Sequence, residues 1–105
     1  MRMIPMLALA AMPAGAAAEA EEIRISMAGA AYAPAVVEAK IGDTLVFDND
    51  DDVAHDVFIP TVGFAVDLGR QDPLTQTALS LGRLGMFDVE CVLHPGMHAR
   101  VVVGP

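Results

Sequence analysis

The chain is poor in the residues that several function classes require. It has one cysteine, Cys91, among 105 residues, so it can close no disulfide within itself, although small exported domains commonly depend on such bridges. That thiol needs another explanation: an inert buried residue, a bridge to another chain, a nucleophile or a metal ligand. Cations are scarce too, with 6 Lys and Arg against 14 Asp and Glu and a formal net charge of −8. Nucleic-acid binding rests on clustered cations that neutralise phosphates, so this balance excludes it, and a charged partner should be basic. Long hydrophobic runs are missing, since the apolar stretch from Met3 to Met12 covers about ten residues where a bilayer span needs about twenty. Nor does any stretch keep helical spacing beyond two turns, and there are no internal repeats. At roughly 100 to 200 residues per domain the chain has room for one domain, which excludes a two-domain enzyme.

What is present divides at the alanine-rich start. Met1-Arg2, the apolar run and the small residues Ala14 to Ala18 follow the charged, apolar and small-residue order of a secretory signal. The sequence therefore predicts a signal peptide over 1–18 and a mature domain over 19–105, and the short run disfavours a retained anchor. Ala-x-Ala sites end at both Ala18 and Ala20, and Ala18 is taken as the last residue removed. The mature domain would carry 14 acids against 5 Lys and Arg, a charge of −9. It keeps about half its residues apolar, too many for an acidic disordered segment.

Short β-like runs follow one another. Ile23 to Met27 alternates apolar and polar residues, the two-residue period of a strand with one buried face. Further runs cover Val36 to Ile41, Thr44 to Phe47, His55 to Ile59, Thr75 to Leu81, Met86 to Cys91 and Ala99 to Val103, separated by Pro34, Gly42-Asp43, Pro60 and other turn residues. The segment from Thr61 to Pro73 reads as a long connection. Seven or eight short strands at this spacing predict an all-β antiparallel Greek-key sandwich. Asp48-Asn49-Asp50-Asp51-Asp52 imitates a calcium loop, but the sixth and twelfth positions are Val53 and Ile59 instead of Gly and Glu. It reads as a solvated acidic turn.

The chemistry collects in Cys91-Val92-Leu93-His94-Pro95-Gly96-Met97. A thiolate, an imidazole and a thioether on one short loop suit copper better than calcium or magnesium. A fourth ligand must come from elsewhere, and His55, at the start of a strand, is the candidate. His98, next to Met97, reads as a surface histidine at the start of the last strand. Two imidazoles, a thiolate and a weak axial methionine make a type 1 electron-transfer copper site.

Here the sequence resembles the cupredoxins, the small blue copper proteins, and among them the Cys-x2-His-x2-Met spacing resembles the amicyanin branch more than the longer plastocyanin loop. The likeness runs from about Tyr32 to Val103. It includes Gly42-Asp43-Thr44-Leu45-Val46-Phe47, Asn49 six residues before His55, Gly85 to Cys91, His94 to Met97 and Val101-Val102-Val103. Phe64 to Arg70 is similar to cupredoxin-like proteins of methylamine utilisation. The resemblance implies a cupredoxin sandwich with one type 1 copper held by His55, Cys91, His94 and Met97. It implies a monomeric, soluble periplasmic electron carrier, not an enzyme, without stable membrane association. Its partners would be redox proteins such as a c-type cytochrome or a periplasmic dehydrogenase, docking on the apolar surroundings of His94. A copper chaperone, a domain of a copper enzyme and a metal-free sandwich are the competing readings. Two positions depart from the family: Asp56 and Val92 stand where many members have Asn and Ser or Thr, which tie the two ligand loops together.

Overall fold

The computed structural model describes residues 19–105; the predicted signal peptide over 1–18 lies outside the described residues. Nine strands and no helix make up the described part: β1 (Glu22–Ala28), β2 (Ala31–Ala33), β3 (Val36–Lys40), β4 (Thr44–Asn49), β5 (His55–Ile59), β6 (Val66–Gln71), β7 (Gln76–Ser80), β8 (Gly85–Glu90) and β9 (His98–Gly104). They form two sheets, ordered β2-β1-β4-β7 and β3-β9-β8-β5-β6. The fold class is therefore the expected β-sandwich.

Three details correct the sequence reading. Both sheets are mixed, because β1 runs parallel to β4 and β3 runs parallel to β9. The three-residue β2 is too short for alternation to reveal. The middle of the predicted long connection is β6, which pairs with β5 through a register shift between Val57 and Phe58. Gly69, with a φ of 81°, lies in that irregular stretch. A bulge of this kind interrupts the period of two, which is why the segment read as irregular.

The alternation in the other strands builds the core. Ile25 and Met27 of β1 and Leu45 and Phe47 of β4 are fully buried. Val57 and Ile59 of β5, Phe87 and Val89 of β8, and Ala99, Val101 and Val103 of β9 join them in one apolar cluster. Each large side chain enclosed there contributes about 1.5–3 kcal/mol relative to exposure. Asp43 closes the turn before β4: its buried carboxylate accepts the backbone N–H groups of Glu21 and Lys40, both at 2.8 Å. Those two bonds hold its carboxyl below the usual range.

Strand direction now decides where chemistry can gather. Because β8 is antiparallel to both β5 and β9, the start of β5, the end of β8 and the start of β9 meet at one end of the sandwich. His55, Cys91 and the loop up to Met97 occupy those positions.

Candidate metal centre

His55 opens β5 with no exposed surface, and Cys91, just past the end of β8, is 4% exposed. His94 is half-buried on the loop that follows. The ligand-capable atoms of these three residues all lie within 4.8 Å of one another. Nδ1 of His55 and Nδ1 of His94 are 3.1 Å apart, and Nδ1 of His94 is 3.8 Å from Sγ of Cys91. Donors that share one ion at about 2.0–2.1 Å for nitrogen and 2.3 Å for sulfur show separations of this size. The site therefore fits a single metal, and its mixture of thiolate and imidazoles fits copper.

Met97 is on the same loop and 2% exposed. The loop folds on itself, since the N–H of His94 is donated to the carbonyl of Cys91 and that of Met97 to the carbonyl of His94, at 3.4 and 3.1 Å. His98, by contrast, is exposed and bonded to Asp88 at 2.9 Å, as expected for a surface histidine.

Two further groups act on the centre. Oδ2 of Asp51 accepts a hydrogen bond from Nε2 of His55 at 3.0 Å and another from the N–H of Gly29 at 3.0 Å. The bond from His55 is the main reason why the Asp51 carboxyl is held down at about 2. With the proton on Nε2, Nδ1 of His55 offers its lone pair to a metal. Asn49 builds the turn that puts Asp51 there. Its buried amide donates to the carbonyls of Val53 and Gln71, and its Oδ1 accepts from the N–H of Asp51. The acidic turn is thus only partly a solvated loop, which corrects the sequence reading. Asp48 pairs with Arg24, Asp50 accepts from Ser26, and Asp51 faces the site. The four-residue step from Asp51 to His55 was the signal that could have found it.

The second group is the backbone N–H of Asp56, which donates to Sγ of Cys91 at 3.2 Å. The Asp56 side chain does not bridge the loops. Its Oδ1 is enclosed without a partner. Burial, and after it the neighbouring Asp67 carboxylate, raise its pKa. Around His94 the surface is apolar, with Val92 63% and Leu93 49% exposed and Pro95 exposed beside them.

Comparison with known proteins places this geometry. The family model described as a cupredoxin-like domain matches residues 1–103. The methylamine utilization protein MauL of Methylophilus methylotrophus is 29% identical over 83 residues, which are 76% of this chain and 48% of that protein. The chain thus spans about half the length of that relative. Among solved structures, a mutant of amicyanin in its Cu(I) form superposes with a TM-score of 0.73 at 25% identity, over 86% of this chain and 87% of that one. A reduced mutant of amicyanin gives 0.73 at 26% identity over the same shares. A purple cupredoxin from Nitrosopumilus maritimus shares the fold, with a TM-score of 0.71 at 21% identity over 78% of this chain and 99% of that one.

Proposed function

The chain belongs to the cupredoxin-like family, whose cofactor is copper and whose members carry electrons instead of catalysing reactions, and from that premise we propose that it is a soluble, monomeric periplasmic blue copper protein. It passes single electrons between redox partners through one type 1 site made of His55, Cys91, His94 and Met97. The observation that carries this reading is the convergence of Nδ1 of His55, Nδ1 of His94 and Sγ of Cys91 within 4.8 Å at one end of a rigid sandwich.

Copper, when bound, supplies a one-electron couple between its +1 and +2 states. The residues keep the cost of that change small. His55 is locked from behind by Asp51 and cannot turn away. Cys91 is fixed by the Asp56 N–H, and Met97 would offer a soft thioether sulfur to the bound copper. Since His55 opens β5 and the short loop from Cys91 to Met97 is anchored between β8 and β9, little has to move when the charge changes. His94, the half-buried ligand ringed by Val92, Leu93 and Pro95, is the edge through which an electron enters and leaves. A small apolar face of this kind suits brief docking of a c-type cytochrome or a periplasmic dehydrogenase.

The test is copper loading of the purified domain. One copper per chain with an intense visible charge-transfer band is expected, and Cys91→Ser should abolish the band. Uptake of Cu(II) without that band would reject the type 1 site and leave a copper-handling protein as the reading. Mixing the loaded protein with candidate cytochromes and dehydrogenases would then identify the donor and acceptor.

A further inference from the structure

The chain has one tyrosine, Tyr32 on β2, and its ring is 3% exposed and packed edge-on against Phe47. Its hydroxyl lies 2.8 Å from the carbonyl oxygen of Asp56 and 2.9 Å from that of Glu90. Asp56 directly follows His55, and Glu90 directly precedes Cys91. A side chain from the first sheet thus crosses the sandwich to the two strands of the second sheet that carry these ligands.

The register shows why a hydroxyl is needed there. β5 and β8 pair at one position, Phe58 with Glu90, and towards the site they separate. In an antiparallel ladder the N–H and C=O of one residue face the same neighbour. Asp56 would be the next rung, but the chain has left β8 at Cys91. The two orphaned groups of Asp56 find substitutes: Sγ of Cys91 takes the N–H at 3.2 Å, and Tyr32 supplies a donor to the C=O. The usual side-chain tie between the ligand loops is missing, because Val92 has no polar group and Oδ1 of Asp56 has no partner.

We propose that Tyr32 is a positioning residue for the copper centre, its hydroxyl clamping the Asp56 and Glu90 carbonyls so that the Asp56 N–H stays aimed at Sγ of Cys91. The proposal rests on the copper reading above. Hydrogen bonds to a ligating sulfur draw density from it and tune the metal's potential. A well-held N–H therefore favours the reduced state. Burial raises the Tyr32 pKa above its ordinary value, so the group remains a donor throughout the neutral range. A hydroxyl has only one proton, shared here between two part-buried carbonyls, and its loss would leave both without that donor.

The experiment compares the copper-loaded wild type with Tyr32→Phe and with protein grown on 3-fluorotyrosine, which labels position 32 alone and makes the hydroxyl a stronger donor. Midpoint potential and the Cu–S stretch by resonance Raman are read out. The phenylalanine variant should show a lower potential, about two- to fivefold in relative affinity for Cu(I) over Cu(II), and a higher stretching frequency. The fluorinated protein should move both in the opposite direction. A variant that only melts earlier, with potential and stretch unchanged, would overturn the clamp, as would shifts of the same sign in both proteins. If Tyr32→Phe does not fold, the fluorinated protein decides alone, and an unchanged potential rejects the proposal. If the wild type is not blue, the copper reading fails separately. Amide exchange at Asp56 in copper-free protein then tests the clamp, with slower exchange than wild type expected on fluorination and an equal rate counting against it.

Discussion

The Asp51 carboxylate meets Nε2 of His55 at 3.0 Å, from four residues ahead in the chain. This contact selects the tautomer that offers Nδ1 to the metal, and it places a negative charge behind a ligand. Negative charge near the centre favours Cu(II) over Cu(I). Asp51→Asn keeps an acceptor for Nε2 but removes the charge, so the midpoint potential should rise. The size expected is a fraction of the about 59 mV that accompanies a tenfold change in a one-electron couple. Voltammetry of the two loaded proteins at neutral pH checks this, and an unchanged or lower potential would contradict the electrostatic role.

At the other end of the sandwich, Gly85 begins β8 with a φ of 138°. A Cβ there would stand 2.9 Å from Cζ of Phe64, and Phe64 is stacked on Phe87 with ring centroids 5.0 Å apart. Gly85→Ala must therefore displace an aromatic pair that lies against the core. A loss of about 1–3 kcal/mol is expected, at about 4–8 °C of melting temperature per kcal/mol in a domain of this size. The visible spectrum should not change, because β8 separates the substitution from Cys91. Thermal melts and absorption spectra on the same samples would reveal any coupling between the two ends.

How much of this was legible in the sequence depends on the range of the forces involved. Strands with a clean period of two, such as β3 with Val37 and Ala39 inward, announced themselves. β6 did not, because the register shift opposite Val57 and Phe58 breaks its alternation. The parallel pairing of β1 with β4 is a property of topology and leaves no local trace. At the site, residue chemistry singled out His55, Cys91 and His94, and the fold brings all three together. Asp51 and Tyr32 escaped notice. Acidic turns usually face water, and a buried tyrosine ring looks like any core aromatic until the hydroxyl's partners are known.

Residues 19–105 carry the whole acid excess, 14 Asp and Glu against 5 Lys and Arg, and the turn from Asp48 to Asp52 lies at the same end as His94. If a basic partner is steered by that field, the rate of electron exchange should fall about tenfold or more as the Debye length shrinks from about 30 Å at 0.01 M to about 10 Å at 0.1 M salt. Stopped-flow mixing with a cationic c-type cytochrome measures it. A rate independent of salt would assign docking to Val92, Leu93 and Pro95 alone.

Asp56 carries the clearest prediction about pH and stability. Its Oδ1 is enclosed with no donor, and burial, followed by the adjacent Asp67 charge, raises its carboxyl pKa above the ordinary value. A carboxyl with a raised pKa in the folded state holds its proton more tightly there than in the unfolded chain. Its contribution is complete in acid, below the ordinary value near 3.9, and is lost as pH rises through the raised value. At pH 7 the folded protein thus carries a charge in a place that disfavours it. Asn at this position does not titrate, and its amide can donate to Asp67 at pH 7, where the ionised acid repels it. Asp56→Asn should therefore stabilise the copper-free protein at pH 7 by about 1 kcal/mol, the low end for an enclosed acceptor because solvent still reaches part of the side chain. The melting temperature should rise by about 4–8 °C. Towards pH 3 the wild-type carboxyl is protonated in both states and the advantage should shrink. Urea or thermal melts at the two pH values decide the matter. An advantage that stayed constant with pH would trace it to packing, and a less stable variant at pH 7 would mean that the Asp56 carboxylate has a donor in solution.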